Sequence, residues 1–247
     1  MRNEWKEKFH PPPRENIHAE TIQEVDQYFA ENPSIALPYQ MIDFSRLNYT
    51  CKYSGPIKPL DVYREIRFMK LNAPCEDGIT QEHLEHLPKI ALVILAHIFT
   101  AFFSCGYFPN NMKSALLVFI PKPGKNRCDP NNYRPISLLP VIGKIYGRII
   151  TKRLTAFLRD NNLEHPNQYG FTQGRGTESS LAISYEFVAK HLSFTHKQML
   201  SIVNRDNQGA FDHIDHPILK YHLCTIGLPI LLRKVLCHFM DFKNCQN

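Results

Sequence analysis

No apolar run in these 247 residues reaches the ~20 residues that a membrane-spanning helix requires. The longest uncharged stretch runs from Ile90 to Met112. Its apolar part, Ile90 to Phe103, is interrupted by His97 and Thr100 and then meets Gly106 and Pro109, so it reads as a buried helix. No apolar run follows the charged opening residues Arg2, Glu4, Lys6, Glu7 and Lys8, so no signal peptide is visible. An intracellular protein without a membrane partner is expected. The seven cysteines are odd in number and form no Cys-x-x-Cys pair, which argues against a disulfide framework. His216, His222, Cys224, Cys237 and His238 fit no common zinc spacing. Gly124-Lys125 lacks the upstream glycine of a nucleotide-binding Walker loop, and Asn126 follows where Ser or Thr is needed. No Asp-Asp pair occurs anywhere, and no repeat or low-complexity tract is visible.

What is present is enough apolar material, 43%, for one sizeable core or for one domain with an extended leader. The formal net charge of +6 is unevenly placed. Residues 1–50 hold 5 Lys/Arg against 8 Asp/Glu, whereas residues 113–160 hold 10 against 2. Basicity concentrated in mid-chain suits a nucleic-acid or nucleotide-phosphate surface.

Residues 1–57 read as a partly irregular leader or connector, broken by Pro11-Pro12-Pro13 and holding one short helix over Thr21 to Glu31. A helix with Pro59 in its first turn is expected next. A loop at Asn72 to Gly78 precedes a helix from about Thr80 and the apolar one from about Lys89. Ala115 to Ile120 reads as a buried strand closed by Pro121. The polar loop from Pro121 to Asn132 follows it. Val141 to Arg159 is a strong amphipathic helix. Its stripe is Val141, Ile142, Ile145, Tyr146, Ile149 and Ile150, with Lys144, Arg148 and Lys152 sharing another face. Further helices are expected over Thr177 to Leu192, about 215–226 and about 229–240. A strand from Met199 to Val203 ends just before Asp206.

Three segments carry chemistry. Ile120-Pro-Lys-Pro-Gly-Lys125 delivers Lys122 into a Gly/Pro loop, and Arg134 begins the return in Tyr133-Arg-Pro-Ile-Ser-Leu-Leu139. Two such cations could clamp a triphosphate, Arg as a fork and Lys as a point charge; a solvated basic loop is the other reading. In Asn167 to Glu178, Gly174 and Gly176 flank Arg175 so that backbone can approach a ligand, while Thr177 would serve equally as a helix N-cap. In Asp206-Asn-Gln-Gly-Ala-Phe-Asp212, a carboxylate at a strand end can offer oxygen to Mg²⁺, or simply cap a turn.

Together and in this order these segments resemble the reverse transcriptase of jockey-like non-LTR retrotransposons. The resemblance runs from Lys58. Asn72-Ala-Pro-Cys-Glu-Asp-Gly78 is similar to the family's K-A-P-G-x-D-G, and Gly106-Tyr-Phe-Pro109 to its G-x-x-P. Pro121-Lys-Pro-Gly-Lys125, Asn132 to Leu139, Gln168-Tyr-Gly-Phe171 and Gly174-Arg-Gly-Thr177 match closely, and Asp206 to Asp212 resembles the first catalytic-carboxylate motif. The resemblance implies an α+β, right-hand polymerase fold. Residues 58–247 would form a truncated reverse transcriptase domain, with helix-rich fingers and the first palm strand but no thumb. It implies RNA-directed DNA polymerase (nucleotidyltransferase) descent, with RNA template, DNA primer and dNTPs as partners and Mg²⁺ (or Mn²⁺) as cofactor. Asp206 would be the first metal-binding aspartate and the catalytic one, with the carbonyl of Asn207 as a second ligand. Lys122 and Arg134 would contact the incoming triphosphate, and Phe211 would exclude a 2′-hydroxyl. Arg175 and, from its charge spacing, the face of Lys144, Arg148 and Lys152 would lie near template or primer phosphates. The family's Tyr/Phe-x-Asp-Asp motif lies downstream of the matched segment. This chain, ending after the first aspartate motif, is therefore expected to be inactive alone, with a C-terminal polymerase half elsewhere. Asn72 stands for a Lys, Cys75 for a Gly and Thr172 for an Arg, and Asn204-Arg205 for the usual apolar pair. The alternative is a non-catalytic nucleic-acid-binding remnant of a mobile element.

Overall fold

The computed structural model describes residues 27, 30–31, 52–69, 73–192, 201–206 and 213–241. The chain divides into two compact units, one of Met1–Phe157 with Phe211–Asn247 and one of Leu158–Ala210. Of the helix expected over Thr21 to Glu31, Gln27, Ala30 and Glu31 are helical. The rest of that expectation, the Pro11 to Pro13 break and Asn72 lie outside the described residues.

The first unit is built on helices. Helix α1, Pro59–Phe68, begins as expected with proline, whose missing N–H costs nothing in the first turn. The Asp61 side chain accepts from the Lys58 N–H at 3.1 Å and closes that end. Val62, Glu65 and Ile66 are its buried face, at helical spacing. Helix α2, Gln81–Glu85, follows the 73–80 loop, and Gln81 donates to the Ile66 carbonyl at 2.9 Å to hold α2 against α1. Helix α3, Lys89–Ser104, packs on α1. The Ile57 N–H donates to the Thr100 hydroxyl at 2.9 Å, tying the approach to α1 to the middle of α3.

The apolar sequence of α3 predicts burial all round, and the structure corrects this. Ala96, Phe99 and Phe103 are buried, whereas Ile90, Ile94 and Ile98, at four-residue intervals, are exposed. One face of the helix meets the core, and the other is open among the described residues. The helix stops at Gly106, whose φ of +67° is left-handed. A Cβ there would also fall 2.6 Å from Cβ of Lys234, so glycine answers both the turn and the approach of the neighbouring chain.

Strands β1, Leu116–Pro121, and β2, Tyr133–Leu138, form an antiparallel hairpin with Ile120 opposite Arg134 and Phe119 opposite Pro135. The expected buried strand is instead almost wholly exposed. Two strands make one layer, and no second layer covers either face among the described residues. The N–H of Lys122 donates to the carbonyl of Asn132 at 2.7 Å, so that pair is a hydrogen-bonded one. By alternation Pro121 and Pro135 occupy non-bonded pairs, where a backbone N–H would point outward. Each proline therefore removes a donor from an outer edge without weakening the hairpin.

Helix α4, Val141–Asp160, carries the expected stripe: Val141, Ile145, Tyr146, Ile149 and Ile150 are buried. Tyr146 is the centre of the core, stacked on Phe99 at 5.2 Å and tilted against Phe108 at 4.9 Å. Its hydroxyl donates to the Tyr107 carbonyl at 3.1 Å. Gly143 lets α4 lie against the chain before β1, since a Cβ there would sit 2.5 Å from the Met112 carbonyl oxygen.

Two helices complete this unit, close to their expected bounds. They are α6, His216–Thr225, capped by Asp215 accepting from the Ile218 N–H at 2.9 Å, and α7, Ile230–Met240. Leu232 and Val235 of α7 are fully buried, and α7 packs on both α3 and α6. Cys224 and Cys237 are buried free thiols, and burial pushes the Cys237 thiol up to about 12.

The second unit contains the end of α4 and helix α5, Thr177–His191. The N-cap of α5 is Gly176 rather than Thr177, which is already helical. No residue of α5 is buried. Of the strand expected over Met199 to Val203, residues 201–203 form neither strand nor helix, and 199–200 lie outside the described residues. Ile202 and Val203 are exposed, and among the described residues no strand pairs with them. No described helix is long and apolar enough to cross a membrane.

Candidate nucleotide and nucleic-acid site

The β1–β2 hairpin places Lys122 and Arg134. Arg134 is opposite Ile120, and Lys122 is two residues beyond Ile120, so both cations project from one face. Diagonal neighbours of this kind lie ~7–8 Å apart at Cα. Their turn is held rigidly. Asp129 accepts from the Asn131 N–H at 2.9 Å, Asn132 donates to the Asn126 carbonyl at 2.9 Å, and the Tyr133 hydroxyl donates to the Arg127 carbonyl at 2.9 Å. The Lys122 ammonium donates to the Asn131 carbonyl at 2.8 Å, which parks it on its own loop. Arg134 is exposed. The result is a two-cation face on a stiffened hairpin, suited to an anion with several oxygens.

Lys144, Arg148 and Lys152 do share a face of α4, but two of them meet a carboxylate that sequence reasoning missed. Glu65 of α1 is only 1% exposed. It accepts from Arg148 Nε at 2.7 Å and forms an ion pair with Lys152. Burial pushes the Glu65 carboxyl up, but Arg148 and Lys152 together outweigh it and hold the group below the usual carboxylate range. The available signal was an acid on an apolar helix face, between Val62 and Ile66.

Other members of the basic segment are also engaged. Lys113 is 5% exposed and donates to the His238 carbonyl, and burial lowers its pKa. Arg153 lies 4.4 Å over the Phe103 ring and donates to the Tyr53 carbonyl at 3.3 Å. Part of the mid-chain basicity therefore serves packing rather than a solvent-facing surface.

In the second unit, Arg175 turns its Nη1 onto the carbonyls of His165, Pro166 and Gln168 at 3.1, 2.7 and 3.2 Å. It closes its own loop. Gly174, with φ of +79°, makes the turn before it. Phe171 carries a left-handed φ of +58° and is 97% exposed, an arrangement a bulky residue adopts only under constraint. Asp206 is exposed at the end of the irregular 201–206 segment. Asn207 and Phe211 lie outside the described residues. Lys122 and Arg134 belong to the first unit, Arg175 and Asp206 to the second.

A carboxylate such as Asp206 suits a hard divalent cation. Among the described residues, however, no three His, Cys, Asp or Glu side chains gather closely enough to hold one. The described donors do not make up a metal site.

Comparison with known proteins agrees with the order of these segments. Residues 120–247 match the family model of the reverse transcriptase (RNA-dependent DNA polymerase). The chain is 32% identical over 197 residues to the probable RNA-directed DNA polymerase from transposon BS of Drosophila melanogaster, covering 77% of this chain and 20% of that protein. It is 38% identical over 150 residues to the RNA-directed DNA polymerase from mobile element jockey of Drosophila melanogaster, covering 60% of this chain and 16% of that protein. The X-element polymerase of the same organism is 30% identical over 182 residues, 73% of this chain and 19% of that protein. The chain thus spans a fifth or less of the length of these curated relatives. With a family model matching more than half its residues, the chain belongs to the reverse transcriptase (RNA-dependent DNA polymerase) family, among relatives from jockey-like non-LTR retrotransposons.

Proposed function

We propose that this chain acts in RNA-directed DNA synthesis by a non-LTR retrotransposon, engaging RNA template, DNA primer and dNTP. In this reading residues 58–247 are the fingers and the start of the palm of a right-hand polymerase, and residues 1–57 are a connector. The observation that carries it is the stiffened hairpin with Lys122 and Arg134 on one face. The two cations take the triphosphate, Lys122 swinging from the Asn131 carbonyl to do so. Asp206 and the carbonyl of Asn207 would offer oxygen to a divalent ion, Phe211 would limit the sugar to a deoxyribose, and Arg175 and the α4 cations would face nucleic-acid phosphates. The ion would neutralise charge on the transferring phosphoryl group.

The shared face of Lys144, Arg148 and Lys152 on α4 also fits a second reading, a non-catalytic nucleic-acid-binding remnant of a mobile element. The first reading requires triphosphate binding; the second does not. Titration of the chain with a fluorescent dNTP and Mg²⁺ measures it. Each of Lys122→Ala and Arg134→Ala should raise Kd about tenfold, the loss of one charge-assisted contact. An unchanged Kd in both variants would remove the hairpin from the substrate site.

A further inference from the structure

Lys113, just before β1, and His238, in the last turn of α7, meet inside the first unit although 125 residues separate them. Two donors converge there on one ring nitrogen. The Phe108 N–H donates to Nδ1 of His238 at 3.3 Å, and the Lys113 ammonium lies 3.3 Å from the same atom. Lys113 also donates to the His238 carbonyl at 2.5 Å. We propose that these contacts form an acid-released latch, closed while the His238 ring is neutral, which fastens the root of the β1–β2 hairpin to α7. The latch does not depend on which substrate the hairpin meets.

A nitrogen that accepts from two donors carries no proton, so the neutral ring keeps its proton on Nε2. Protonating the ring puts a hydrogen on Nδ1, pointing at the Phe108 N–H and at an ammonium. Both contacts then turn repulsive. Water gives Lys113 little relief where it stands, because it is 5% exposed. The charged neighbours do not rescue the imidazolium. Asp241, at the end of α7, is the acid that acts on it, and Asp241 is already ion-paired with Lys220 of α6. Lys113 and Lys220 both oppose a further positive charge, and Tyr107 contributes a ring edge-on at 4.7 Å. Burial first, and the Lys113 charge next, hold the His238 pKa below its ordinary value against the pull of Asp241. Because the folded value is depressed, the latch is whole above the ordinary 6.5 and is lost as pH falls from there through the folded value. Its release frees residues 108–113 from α7, and with them the base of the hairpin that carries Lys122 and Arg134.

Nuclear magnetic resonance on the 247-residue chain reads both sides of the latch. The His238 ring protons give its titration, and the Phe108 amide gives its exchange protection, corrected for intrinsic exchange at each pH. The latch predicts a His238 midpoint below 6.5 and a Phe108 protection factor that falls about tenfold per pH unit between 6.5 and that midpoint. His238→Asn puts an amide oxygen where Nδ1 stands, an acceptor that takes up no proton, so its Phe108 protection should stay flat from about pH 7.5 to about pH 5. Lys113→Met keeps an unbranched apolar stem and removes the like charge, so the His238 midpoint should rise. Should the asparagine variant fail to fold, that rise decides between a latch and a passive contact. Phe108 protection that does not follow the His238 titration overturns the latch. So does an equal acid loss in His238→Asn, or a His238 midpoint unmoved by Lys113→Met. Protection lost together across the whole core would be global acid unfolding, and overturns it as well.

Discussion

Removing both Arg148 and Lys152 should destabilise the protein by about 3–5 kcal/mol, although both side chains are largely solvent-exposed. The cost comes from Glu65, which is 2% exposed at its side chain and would be left buried without a counter-charge. Either single variant should cost less, because one cation remains. The triple variant that also carries Glu65→Leu should recover most of the loss, since a buried ion cluster is replaceable by apolar volume. The pH dependence should change sign. In the wild-type chain the Glu65 carboxyl titrates below its unfolded value of about 4.3. It therefore adds stability above that pH, which is lost as pH falls through the folded value. In the double variant only burial remains, and burial raises the pKa. Stability should then fall as pH climbs above about 4.3, because the buried acid is tolerated only when protonated. Denaturant titrations of both proteins across pH 3–7 check this. Parallel profiles would mean that Glu65 is not held by these two cations.

Tyr146→Ala should cost about 3–5 kcal/mol, the range for an aromatic core residue cut back to a methyl. The ring is fully buried and meets Phe99, Phe102 and Phe108, so its removal opens a void bordered by three aromatic groups on α3 and the loop after it. Tyr146→Phe keeps those contacts and loses only the hydrogen bond to the Tyr107 carbonyl, for about 1 kcal/mol. Burial keeps the phenol pKa above its ordinary value, so the hydroxyl stays a neutral donor. Thermal unfolding separates the two. For a chain of this size each kcal/mol moves Tm by about 2–4 °C. Equal shifts in the two variants would locate the stabilisation in the hydroxyl rather than the ring.

What the sequence reveals follows from the range over which each interaction acts. The stripe of α4 is legible because Val141, Ile145, Tyr146 and Ile149 repeat at the helical period and are buried. Strand β1 and the loop after it are legible because Pro121 and Gly124 punctuate them locally, whereas β2 is not marked out as a strand. The exposure of β1 is not: Leu116 to Ile120 is apolar throughout, and whether a second layer covers it is a tertiary matter. The open face of α3 escapes for the same reason. Glu65 escapes because its partner Arg148 lies 83 residues away, and no local pattern joins them. The α4 cations are legible as a face, but not as partners of a buried acid. Arg175 is legible as a conspicuous residue between glycines, whereas its use of three loop carbonyls depends on how the loop folds back. The strand before Asp206 shows the opposite failure. Met199 to Val203 has strand composition, but 201–203 lie exposed and unpaired in a ladder.

The central claim is that Asp206 belongs to an RNA-templated DNA polymerase site. Primer extension on an RNA template, with dNTPs and Mg²⁺, tests it most directly. The samples are the 247-residue chain, the same chain extended through whatever reading frame follows its last codon, and the extended chain carrying Asp206→Ala. The account predicts that the extended chain lengthens the primer and that Asp206→Ala abolishes this. Incorporation by Asp206→Ala equal to that of its parent would contradict it.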